Sequence, residues 1–383
     1  MHHAPRPPAD GLVSRTPAQA RSTRPTGLAR PVIALAFATM LAGMAGGLLR
    51  AGVALPLQAG WVSQAMVWHA ALMICAFFGT VIGIERAVAL KHRAAFVPPL
   101  ISAGSGLLLL LGEPAAAHAG FVLAGAGFVA VNIAIVRRQA ATHTLLLLLG
   151  ALCWMGGSTL AAAGVAQGAA LAAWFAFLVL TIGAERLEMT RLMRRRPGAE
   201  GLLLAVLGVL LLGTALCAPW PAIGGVVYGL ALAALAGWLA TFDIARRTVR
   251  APGLTRYMAL CLLAGYGWLA VGGLAWAASS AGLAGARDAS LHALGLGFVF
   301  SMVMGHAPVI LPAVARVKLA FGPAFYLPLA ALHGSLLLRL AGGALSPAWR
   351  SAGAALNGTA IVLFILTLLG AALAWRRRHG PAA

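Results

Sequence analysis

Two histidines sit at matching depths in two apolar runs, each inside the same short phrase, Trp68-His69-Ala70 and Leu291-His292-Ala293. A polar or ionisable side chain in hydrocarbon needs a partner, because a charge there costs on the order of 2.5 kcal/mol or more. Neutral imidazole is also the commonest metal ligand, through either ring nitrogen. One buried histidine is ordinarily satisfied by a hydrogen bond within the bundle. Two in corresponding positions favour a metal ion held between them.

The other histidines divide by position. Of the ten, His2, His3 and His379 belong to tails, and His92 lies in a loop. His118 and His143 fall at the ends of apolar runs, where solvation at the interface suffices. His306 and His333 join His69 and His292 inside the membrane. His306 lies fourteen residues after His292, which is about 21 Å along a helix and some 40° around it, so the two share a face without sharing an ion. Gly305 and Pro308 weaken the helix around His306, and a pairing with His333 on the next run is expected. Such a pairing would make a second metal site, although a plain buried hydrogen bond is the favoured reading of the two. The four cysteines, Cys75, Cys153, Cys217 and Cys261, stand far apart, so no disulfide framework or Cys-x-x-Cys motif exists. Any haem must be held noncovalently.

These residues need elements to carry them. The chain has 383 residues, 61% of them hydrophobic and 9% charged, a balance outside the soluble globular range. Apolar runs long enough to span a bilayer number twelve: Pro31 to Leu49, Val62 to Val88, Phe96 to Leu111, Ala115 to Val136, His143 to Ala163, Ala169 to Leu187, Gly201 to Cys217, Ala222 to Ile244, Thr255 to Ala278, Ala289 to Leu311, Ala324 to Leu340 and Ala352 to Ala374. The class expected is an all-α, polytopic membrane protein. With the N-terminus in the cytoplasm, inside segments carry 24 of the 28 Lys and Arg, and only Arg50, Arg287, Arg339 and Arg350 fall outside. That asymmetry is an orientation signal. The formal charge of +20 is therefore no sign of nucleic-acid binding, and both termini are expected inside. Residues 1–30 read as a disordered cytoplasmic tail, 31–375 as the transmembrane domain and 376–383 as a short basic tail.

A repeat organises the helices. Ile82-Gly83-Ile84-Glu85-Arg86 ends the second run and Ile182-Gly183-Ala184-Glu185-Arg186 ends the sixth, one hundred residues further on. The tenth run, with its His292, is the next member at a period of four helices, so three four-helix modules are expected. Adjacent residues do not face each other on a helix. Each glutamate should therefore meet a partner on a neighbouring helix, as a structural clamp or as part of a proton path.

The four exceptions to the charge rule acquire a use beside the histidines. Arg50, Arg287, Arg339 and Arg350 are expected to project to the outer surface, with Arg287 five residues before His292. Arginine suits bidentate carboxylate binding, so these four are candidates for the propionates of a haem between His69 and His292. Contact with lipid headgroups is an equal reading for Arg50 and Arg350.

The phrase Trp68-His69-Ala70, with His292-Ala293-Leu294-Gly295-Leu296-Gly297 running on through Met302 and Met304, resembles the NnrS family of haem- and copper-containing inner-membrane proteins linked to nitric-oxide handling. That family is in turn similar to the catalytic subunit of haem-copper oxidases, whose twelve helices form three arcs with low-spin haem ligands on helices two and ten. The chain departs from both: Ala71 and Leu72 stand where the family commonly carries a further histidine, and Ala293 and Leu294 where the oxidases carry a close pair. The resemblance implies a bacterial inner-membrane protein holding haem b, with copper the less supported cofactor, in nitric-oxide response or denitrification. The alternative is a twelve-helix secondary transporter with a path lined by His69, His292, His306 and His333.

Overall fold

A backbone in lipid must satisfy its own polar groups, and these apolar runs do so as helices. The computed structural model describes residues 29–56, 60–165, 167–189, 197–314 and 317–380. The tail expected over residues 1–30 lies almost wholly outside the described residues, as do Arg191, Arg194, Arg195, Arg196 and Arg316. Among the described residues, twelve helices are long and apolar enough to cross a membrane. They are α1 (Pro31–Arg50), α2 (His69–Leu90), α3 (Arg93–Leu110), α4 (Pro114–Arg138), α5 (Thr142–Ala162), α6 (Gln167–Met189), α7 (Ala199–Leu216), α8 (Pro221–Phe242), α9 (Gly253–Ser280), α10 (Ala286–Pro312), α11 (Pro323–Leu345) and α12 (Pro347–His379). The protein is an all-α polytopic membrane protein, as its composition requires.

Two boundaries differ from those read along the sequence. The second apolar run is broken: a short helix, Gly60–Val67, stops before Trp68, whose φ of −99° and ψ of 18° leave the helical region, and α2 restarts at His69. At the far end α12 continues to His379, so Arg376, Arg377 and Arg378 form its last turn instead of a tail. Three cations there complement the negative end of the helix dipole.

Lipid tails give helices no hydrophobic reason to associate, so close packing through small residues does that work. Where α8 crosses α9, a Cβ on Gly229 would lie 2.5 Å from the Gly273 carbonyl oxygen, and one on Gly273 would lie 2.6 Å from that of Gly229. Only glycine fits on either side. α2 and α6, which carry the two Glu-Arg phrases, are the most buried of the twelve spans, with α8 and α10 next. At one end α2 meets α6 through Arg86, whose Nη2 donates to Glu185 Oε1 at 2.8 Å, with Glu85 Oε1 3.6 Å away. There α6 also meets α10, Arg186 Nη2 lying 2.9 Å from His306 Nε2. Glu185 thus finds its partner on a neighbouring helix, whereas Glu85 lies near the adjacent Arg86 of its own helix.

Three wide, π-helical stretches interrupt the described helices: Leu72–Gly79 in α2, Ala293–Phe300 in α10 and Leu338–Gly342 in α11. The first begins three residues after His69, the second directly after His292, and the third contains Arg339. Such stretches re-aim side chains at some cost in hydrogen-bond geometry and recur at functional sites.

Candidate cofactor site

His69 and His292 face each other across the middle of the bundle. Their ring centroids are 6.5 Å apart and the ring planes diverge by 21°, too far apart for stacking contact. One ion between the two ring nitrogens, with bonds of about 2.0–2.1 Å and each nitrogen roughly 1.1 Å from its ring centre, would set the centroids about 6.3 Å apart. The observed separation matches that requirement.

The hydrogen bonds settle the tautomers. His69 Nδ1 donates to the Gly43 carbonyl at 2.6 Å. His292 Nδ1 donates to the Asp288 carbonyl and to Asp288 Oδ1, each at 3.0 Å. An Nδ1 that donates leaves Nε2 as the bare lone pair, which is the tautomer a metal takes, and ligating histidines characteristically direct their other N–H to a carbonyl or a carboxylate. Asp288 is itself gripped from α11: Arg339 Nε and Nη2 donate to its two oxygens at 3.2 and 2.9 Å.

The room for His69 comes from α1. Gly43, Gly46 and Gly47 form a bare stripe at helical spacing, and a Cβ on Gly47 would lie 2.6 Å from His69 Cε1. A Cβ on Gly46 would collide with the Ala65 backbone at 2.1 Å. The glycines therefore bring the short helix and the histidine against α1.

Beside the imidazoles lies a cavity of about 130 Å³, walled by Met44, Phe78, Phe175, Leu178, Leu296, Phe300, Ile361 and other apolar side chains, with Gly295 on one side. Phe175 comes from α6, so all three repeat helices contribute. Phe78 and Phe300 meet edge-on, centroids 5.8 Å apart, nine and eight residues beyond the histidines and so about 12–13 Å further along their helices. A wider vestibule of about 500 Å³ shares His69 and His292 with this cavity and is also lined by Trp68, His118, Asp288 and all four arginines, Arg50, Arg287, Arg339 and Arg350. An apolar chamber with a few convergent polar groups is the usual form of a ligand site.

Several expectations are corrected by this arrangement. His306 and His333 do not pair: Nδ1 of His306 donates to the Met302 carbonyl at 2.7 Å and its Nε2 meets Arg186. His333 Nδ1 accepts from Trp268 Nε1 at 2.9 Å, which puts its proton on Nε2. With both nitrogens of His306 occupied and the Nδ1 lone pair of His333 used, the second metal site has no basis in these contacts. Arg339 is buried and committed to Asp288 instead of reaching the outer surface, because the widened turn of α11 aims it inward. Arg50, Arg287 and Arg350 are exposed at the mouth, and Arg50 Nη1 also donates to the Met66 carbonyl at 3.1 Å. His118 and His143 are buried, not solvated at an interface: His118 donates to the Pro114 carbonyl and lies edge-on to Trp68, and His143 Nε2 is 3.8 Å from Glu188 Oε1.

Sequence reasoning missed Asp288, Phe175 and the glycine stripe. Two of these left a trace: Asp288 precedes His292 by one helical turn, and Gly43-Met44-Ala45-Gly46-Gly47 is a small-residue pattern of the kind that lets helices touch. Phe175 left none.

Fold and site together define a twelve-helix membrane protein whose three repeat helices enclose a paired-histidine chamber. The family described as "Domain of unknown function (DUF8744)" matches residues 30–373, and the chain belongs to it. No curated protein and no solved structure matches the chain.

Proposed function

We propose that this protein holds one noncovalent haem b between His69 and His292 in a bacterial inner membrane, with both termini in the cytoplasm. The observation that carries the reading is the pair of imidazoles 6.5 Å apart beside an apolar chamber, each with Nδ1 engaged and so with Nε2 as the bare lone pair. A haem asks for two axial donors, flat apolar walls and cations for its carboxylates. The donors are the histidines, the walls are Phe78, Phe175 and Phe300 with their aliphatic neighbours, and Arg50, Arg287 and Arg350 stand at the mouth. Haem bound there supplies one-electron exchange between ferric and ferrous iron. The link to nitric-oxide response or denitrification rests on the resemblance of the histidine phrases to the NnrS family, and the orientation on the sidedness of the basic residues.

Detergent-purified protein from haem-replete cells is expected to show a Soret band and, after dithionite, the sharp alpha band of low-spin haem. A colourless preparation with normal circular dichroism would overturn the reading. The glycine stripe offers an independent check. Gly47→Leu places atoms where the His69 ring now lies, so the low-spin alpha band should be lost while helicity is kept. An unchanged low-spin band in this variant would show that His69 holds no iron.

A further inference from the structure

The two histidines are held differently. His292 hydrogen-bonds a carboxylate that a buried arginine fixes in place, through a bidentate pair with contacts of 3.2 and 2.9 Å. His69 has a single backbone carbonyl as partner, and it stands at a break, next to the non-helical Trp68 that separates Gly60–Val67 from α2. A carboxylate on the remote N–H makes an imidazole a more basic ligand and restrains its ring, and outer partners of this kind alter metal affinity by about 10–100-fold. A carbonyl does less of both.

Building on the haem reading, we infer that His292 is the anchoring ligand and His69 the exchangeable one, so that a small neutral diatomic molecule binds iron at the position His69 leaves. In that exchange the bond from iron to His69 Nε2 breaks and a bond from iron to the incoming molecule forms. No electron or proton is transferred, since His69 leaves as neutral imidazole with its Nδ1–H retained. Asp288 and Arg339 act as positioning residues through His292.

The test compares the purified wild type with His69→Gly, His292→Gly and the double variant Asp288→Asn/Arg339→Met, which removes the carboxylate without stranding a buried cation. The readouts are haem per chain and the carbon monoxide difference spectrum of the reduced protein. His69→Gly should keep haem near the wild-type ratio and bind carbon monoxide strongly. His292→Gly should hold about tenfold less haem, the scale set by loss of an anchoring interaction. The double variant should lose haem severalfold faster to an acceptor protein than the wild type does, although both histidines remain. Equal haem loss from the two glycine variants overturns the inference while leaving the haem reading intact, and so does carbon monoxide binding in His292→Gly but not in His69→Gly. Unchanged haem loss from the double variant removes the part assigned to Asp288 and Arg339. A wild type without haem overturns the reading on which all of this rests.

Discussion

The reduced-minus-oxidised spectrum of His69→Ala is expected to lack the low-spin alpha band, and that of His306→Ala to keep it. Truncating His69 removes one of two axial donors and leaves a void beside Gly47, so imidazole added to the medium should restore part of the band by filling it. His306 lies about 21 Å along α10 from His292, with its nitrogens engaged by Met302 and Arg186, and no ligand of the chamber changes when it is cut. This comparison also separates the haem reading from the transporter alternative. In a histidine-lined path, His69, His292, His306 and His333 would behave alike, changing uptake without any optical change. A band lost in His306→Ala but kept in His69→Ala would place the cofactor at the wrong end of the tenth helix.

The second large effect concerns the clamp at the opposite end of the repeat helices. Arg86 stands between two carboxylates, 2.8 Å from Glu185 and 3.6 Å from Glu85, with 11% of its side chain exposed. Removing one partner of a buried pair costs about 3–5 kcal/mol, because the remaining charge is left uncompensated. Arg86→Met should fall near 3 kcal/mol, the low end, since Glu185 keeps 26% of its side chain exposed. It should also be worse than Glu185→Gln, which leaves Arg86 the nearby Glu85. Apolar replacement of the pair, Arg86→Met/Glu185→Met, should recover much of the loss. Thermal melts in detergent, followed by circular dichroism, provide the ranking. A single Arg86→Met variant as stable as wild type would mean that the pair between α2 and α6 is not a clamp.

What could be read before folding was whatever the bilayer dictates residue by residue. Hydrocarbon demands unbroken apolar runs with internally satisfied backbones, so the twelve spans and the all-α class follow from composition and run length. The repeat was legible because Ile82-Gly83-Ile84-Glu85-Arg86 and Ile182-Gly183-Ala184-Glu185-Arg186 recur at one offset. His69 and His292 stood out because a polar group at matched depth in matched helices is costly and rare. Proximity was not legible. His306 and His333 met the same criterion of a polar side chain inside a span, yet the structure gives each its own partner, Arg186 and Trp268.

The sequence by itself determined the class of protein, the number of spans and the two histidines most worth following. Tertiary structure alone decided the rest. It set the 6.5 Å between imidazoles, the tautomers enforced by Gly43 and Asp288, the inward turn of Arg339 and the gathering of four arginines from α1, α10, α11 and α12 at one mouth. The physical reason is that helix formation in lipid is a local matter of hydrophobicity and backbone hydrogen bonding. Rotation about each helix axis, a widened turn after a histidine and the approach allowed by a bare glycine are instead set by packing between segments tens to hundreds of residues apart, as Gly43 with His69 and His69 with His292 show, and no period in the chain encodes them.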